Sequence, residues 1–155
     1  MKAYKFRFEK VLKSKKIIVD DLAAKTGRAR KILMLEIRKL DDLRERQAQC
    51  LRELALQQVG RVNTQETGRC HQYLQQISAA TAEQDHRVKE ISRRVDMLHN
   101  MLLQAEKERK MFEKLEEQER EEFLRAFSKK EQQLLDEVGI NKFVQRNAYK
   151  RAHSS

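Results

Sequence analysis

The chain contains no proline and no tryptophan, only four glycines and two cysteines, and aromatic residues make up 6% of its 155 positions. Turns draw on Gly, Pro, Asn and Asp, so their scarcity argues against a many-stranded sheet fold and a loop-built active-site cleft. No stretch reaches the roughly 18 consecutive apolar residues of a membrane span. The opening segment MKAYKFRFEKVLKSKKIIV lacks an apolar h-region and a small-residue cleavage site. No secretory signal is therefore expected. Cys50 and Cys70 show no CxxC spacing, which fits a reducing, cytoplasmic setting.

Ala, Glu, Leu, Lys and Arg together supply 81 of the 155 residues. That half-share is the composition of a long helix or coiled coil. Charged residues are 37% of the chain and mean hydropathy is −0.85. Net charge is +10, and the excess sits in the first half: residues 1–62 carry 17 bases and 8 acids, residues 63–155 carry 17 and 16. A basic half can meet nucleic acid, anionic lipid or an acidic protein, or can be a solvated helix face.

The second half has the clearer pattern. Alternating steps of three and four give Leu74, Ile77, Thr81, Gln84, Val88, Ile91, Val95, Leu98, Leu102, Ala105, Arg109 and Phe112, fading at Glu116 and Glu119 and returning at Phe123. This is an a/d seam. It predicts a helix over about 69–138, capped at Gly139 and followed by a basic tail over 139–155. The first half carries a rougher stripe: Val11, Ile18, Leu22, Ile32, Leu33, Ile37, Leu40, Leu43, Leu51 and Leu54. It predicts a helix over about 4–58, with a kink or a tolerated glycine at Gly27. A break over 59–68 holds two glycines, and Asn63 with Glu66 reads as an N-cap with its capping-box partner. The expected fold is all-α: an antiparallel two-helix coiled coil, in a single domain spanning 1–155. With the turn near residue 64, position i faces roughly 128 − i, and a rod of roughly 80–100 Å results. Dimers of longer rods remain an alternative.

Catalytic chemistry finds no footing. His71, His86, His99 and His153 include no i,i+4 pair and no zinc-ligand spacing. AKTGRARK around Gly27 lacks the spacing and the preceding strand of a phosphate loop. No catalytic residue, metal site, cofactor or small-molecule substrate is expected, and the protein is not expected to be an enzyme. Aromatics instead concentrate in YKFRFEKVL, where Tyr4, Phe6 and Phe8 fall within five residues. They can pack on Phe123 and Phe127 at the far end of the hairpin, form a docking end, or both.

YKFRFEKVL, the helix after it, CHQYLQQI (Cys70 to Ile77), the long helix with KERKMFEKLEEQEREEF and the late Asp136-Glu137 together resemble the FliJ family. That is the small coiled-coil protein of the flagellar type III export apparatus. The resemblance covers roughly residues 2–147. His71, polar Thr81 and Gln84 in the seam, and the basic first helix depart from the usual pattern. The resemblance implies a cytoplasmic, non-enzymatic stalk or chaperone-type component, peripheral at the cytoplasmic face of the inner membrane. Its implied partners are the hexameric flagellar export ATPase, the export gate membrane protein and export chaperones. It would place Tyr4, Phe6, Phe8, Lys10, Leu12, Phe123, Phe127, Asp136 and Glu137 at the ATPase, and Tyr73, Ile77, Ala80 and Gln84 at the gate. The alternatives are an injectisome or other rotary-ATPase stalk, or a basic scaffold or nucleic-acid-binding coiled coil. Against nucleic acid, the basic half is itself the partner helix and its bases alternate with acids, so no specific nucleic-acid partner is expected.

Overall fold

The computed structural model describes residues 3–61 and 63–154. Two helices account for it: α1 over Glu9–Gln57 (49 residues) and α2 over Thr64–Ala152 (89 residues). Among the described residues there is no strand.

The ends of the helices differ from expectation. α1 starts at Glu9 rather than near residue 4, after an aromatic segment in which the Glu9 amide reaches the Phe6 carbonyl at 3.4 Å. α2 starts at Thr64, not 69. Asn63 caps it: its Oδ1 accepts from the Gln65 amide at 3.2 Å and its carbonyl from the Thr67 amide at 3.0 Å. The helix then runs through Gly68 and Gly139 to Ala152, so the segment expected as a tail is helical. A helical glycine costs only about 1 kcal/mol, too little to end a long helix by itself. No glycine has a positive φ, so none serves as a left-handed cap. α1 likewise passes through Gly27 unbroken. The end of α2 uses side chains instead: the Ser154 hydroxyl donates to the Lys150 carbonyl at 2.8 Å, and Lys150 and Arg151 complement the helix dipole.

The chain forms two compact units, Lys16–Lys107 and Met1–Lys15 with Glu108–Ser155. Each takes a stretch of both helices.

In the Lys16–Lys107 unit the helices are antiparallel. Arg30 reaches His99 at 3.0 Å, Arg44 reaches Asp85 at 3.3 Å, Gln47 reaches Ser78 at 3.1 Å, and the Cys50 thiol reaches the Cys70 carbonyl at 3.7 Å. Paired numbers sum to between 120 and 129, close to the expected 128. The α2 seam lies where the spacing put it, with Ile77, Val95 and Ala105 buried. The α1 seam matches the expected stripe only in part, at Leu22, Leu33, Leu40, Leu43 and Leu54. Its inward positions are Val19, Leu22, Thr26, Ala29, Leu33, Glu36, Leu40, Leu43, Gln47, Cys50, Leu54 and Gln57, a strict alternation of three and four. Ile18, Ile32, Ile37 and Leu51, expected in the stripe, are exposed.

Most polar side chains in the α1 seam find partners; the Gln57 Oε1 atom is buried without one among the described residues. Thr26, 1% exposed, donates its hydroxyl to the Leu22 carbonyl at 2.7 Å. Glu36 is buried. Gln84 donates its side-chain amide to the Glu36 carboxylate at 2.6 Å and to the Glu36 carbonyl at 3.0 Å, while Lys39 closes on the other carboxylate oxygen at 2.9 Å. The Gln84 hydrogen bond, then Lys39, holds the Glu36 carboxyl below the ordinary glutamate range. A polar pair at one seam level fixes register at a cost in stability.

That arrangement predicts a thermodynamic cycle. Glu36→Ala and Gln84→Ala should each lower the denaturation midpoint, because each leaves a partner unsatisfied. The double Glu36→Leu with Gln84→Leu should raise it above wild type, measured in urea melts. A double variant as unstable as the singles would contradict the pairing. Because the folded pKa of Glu36 is depressed, its contribution is complete above the ordinary glutamate value. It is lost as pH falls through the folded value.

Candidate docking surfaces

In the unit made by Met1–Lys15 and Glu108–Ser155, the aromatic segment lies across α2. The Tyr4 hydroxyl donates to the Glu116 carbonyl at 3.2 Å, and its ring lies 5.5 Å from that of Phe123. Partial burial, then the Glu119 and Glu116 carboxylates, raise the Tyr4 pKa. Phe6 is 4% exposed and meets Phe8 edge-on at 6.0 Å. Phe8 in turn meets Phe112 edge-on at 6.0 Å, with the Arg7 guanidinium 4.5 Å above its ring. Edge-to-face pairs add about 0.5–1.5 kcal/mol each beyond the area they bury. Leu12 is buried, and Lys15 pairs with Glu108 at 2.8 Å. YKFRFEKVL therefore clamps the unit: Phe6 and Leu12 are core, Tyr4 and Phe8 are half-buried, and Lys10 is exposed.

Partner helix runs out before α2 does. Phe123 stacks on Phe127 at 6.4 Å, and from Ser128 to Ser154 every described residue is exposed. This stretch carries Asp136 and Glu137 as sequence analysis named them. It also carries Leu134, Leu135, Val138, Ile140, Phe143, Val144 and Tyr149, all more than half exposed, with Leu124 just before it. Sequence reasoning overlooked these apolar residues because the stretch was read as a capped end and a tail. Their signal was present: Phe127, Leu134 and Val138 are spaced seven and four apart, one helix face.

The four residues assigned to the export gate lie in the Lys16–Lys107 unit and do not form one exposed patch. Tyr73 is 46% exposed and Ala80 is exposed. Ile77 is buried in the seam, and Gln84 is engaged with Glu36. Tyr73 and Ala80 are thus the members a partner can touch, with Ile77 packed behind them.

Among the described residues, no three His, Cys, Asp or Glu side chains gather as a metal site, and no helix is long and apolar enough to cross a membrane. Cys50 is buried, and that burial pushes its thiol pKa up.

Compared with known families, the chain matches the one described as flagellar FliJ protein over residues 4–148. It belongs to that family, which carries a role associated with flagellar export. No curated protein and no solved structure matches it.

Proposed function

We propose that this FliJ-family chain is a non-enzymatic stalk and chaperone-type component of flagellar type III export, working at the cytoplasmic face of the inner membrane. In this reading its α2 end binds the hexameric export ATPase. The exposed side of α2 around Tyr73 and Ala80 meets the export gate, and export chaperones are further partners. The observation that carries the ATPase assignment is the run of helix beyond Phe127. A helix of this length draws most of its stability from tertiary packing. Here it presents a row of large apolar side chains to solvent, and such a face marks an interaction site.

Within the proposed ATPase surface, exposure suggests a division of roles. Phe123, Phe127, Asp136 and Glu137 stand where a partner can reach them, and Lys10 does so from α1. Tyr4, Phe6, Phe8 and Leu12 hold the segment against α2. Leu124, Leu134, Leu135 and Val138 join the contact set.

Co-purification of the full chain with the export ATPase tests the reading. The expected result is a complex that withstands gel filtration. Absence of any complex, with the chain folded, would remove it.

A further inference from the structure

An open groove of about 400 Å³ runs along the Lys16–Lys107 unit, apart from the surfaces described above. On α1 it is lined by Lys25, Arg28, Ala29 and Ile32, and on α2 by Ile91, Arg94 and Leu98. The positions follow helical spacing: i, i+3, i+4, i+7 on α1 and i, i+3, i+7 on α2, one face of each helix. Ala29 keeps the floor low between the helices, and Ile32, 51% exposed, stands along the edge. The floor is apolar and the walls carry three bases and no acid. Lys25 shares its charge with Asp21 at 2.9 Å. Arg28 and Arg94 form no ion pair among the described residues, although ion pairs are frequent elsewhere along both helices.

We propose that this groove is a docking site for an acidic amphipathic helix of a partner protein. Its lining on α1 runs from Lys25 to Ile32, eight residues over about 10 Å or two helical turns. A third helix can lay an apolar i, i+3/i+4, i+7 ridge onto Ile32, Ile91 and Leu98 in the helix-in-groove mode. Glu or Asp flanking that ridge would then face Arg28 and Arg94. Arg pairs with carboxylates in bidentate fashion, so this flank supplies specificity as well as attraction.

Other occupants fit the chemistry less well. A small ligand site encloses most of its ligand, whereas this groove is open along one side. Single-stranded nucleic acid is held by bases together with stacking aromatics, and no aromatic lines the groove. A bilayer surface is flat, and the apolar residues here form a concave floor.

The test uses the full chain and two synthetic amphipathic peptides with leucines at i, i+3, i+4 and i+7. One is flanked by glutamates, the other by lysines. Fluorescence anisotropy at physiological salt should show binding of the glutamate peptide and none of the lysine peptide. Arg28→Glu with Arg94→Glu should weaken the glutamate peptide at least tenfold and admit the lysine peptide. Arg28→Gln with Arg94→Gln should weaken the first without admitting the second. Both residues are exposed, so thermal melts should stay at the wild-type value. Ile32→Ser should weaken the glutamate peptide with charge intact. Equal binding of both peptides, or indifference to the arginine changes, overturns the proposal. So does duplex DNA that binds at physiological salt and is released by the same changes. Export-ATPase binding, read on the same variants, should be unaffected, so either proposal can fail without the other.

Discussion

Leu22→Asp should unfold much of the Lys16–Lys107 unit, whereas Ile18→Asp, one helical turn away, should barely change its melting. Leu22 is 8% exposed and packs with Val19, Ala105 and Leu102, while Ile18 is 44% exposed. Burying an unpaired carboxylate in such a cluster is expected to cost about 3–5 kcal/mol, a large share of the stability of a small domain. A surface change away from special features stays within about 0.5 kcal/mol. Val95→Asp, on the facing helix and 7% exposed, should match Leu22→Asp, and Glu117→Asp should be silent. Both Leu22 and Ile18 belong to the apolar stripe read from sequence, so only the structural register separates them. Equal losses at the two positions, seen by circular dichroism in thermal melts, would show that register to be wrong.

The second large effect falls on the aromatic clamp. Phe6→Ala should destabilise the unit formed by Met1–Lys15 and Glu108–Ser155 by about 3–5 kcal/mol, the usual loss for a buried phenylalanine. Phe6 is 4% exposed and holds Phe8, which holds Phe112. The released segment would also free Tyr4 from Glu116 and Phe123. Hydrogen exchange should therefore rise over residues 9–15 and 108–123 in the variant. Lys10→Ala, on the exposed side, should leave exchange at its wild-type level. If Phe6→Ala exchanged like wild type, the ring would not be core, and the clamp would be a docking surface in its own right.

The sequence made the class of fold plain, because five residue types fill half the chain and turn residues are almost missing. It also placed the α2 seam, since Val88 to Ala105 is apolar at every a/d position. The α1 seam was harder to see for a physical reason. Its inward positions include Thr26, Glu36, Gln47 and Gln57, polar residues whose partners lie on the opposite helix or in a neighbouring turn and leave no apolar signal. Meanwhile Val11, Ile18, Ile32, Ile37 and Leu51 are apolar and exposed, which mixed outward residues into the expected stripe. Helix ends misled for the opposite reason: Gly68 and Gly139 read as punctuation, yet a single helical glycine costs only about 1 kcal/mol and α2 runs through both. The expected packing of the YKFRFEKVL aromatics on Phe123 is seen for Tyr4. Which of them face inward depended on Phe112, Glu116 and Phe123, residues more than a hundred positions away that no local pattern reveals.

The exposed apolar face at the end of α2 is where the functional account is most open to refutation. Leu134→Ser with Val138→Ser changes two side chains that are 63% and 51% exposed. The decisive measurement is the affinity of the hexameric export ATPase for the full chain and for this double variant, with thermal melts of both. The account predicts unchanged melting and at least a tenfold loss of affinity, about 1.4 kcal/mol. Equal affinity for the two chains would contradict it.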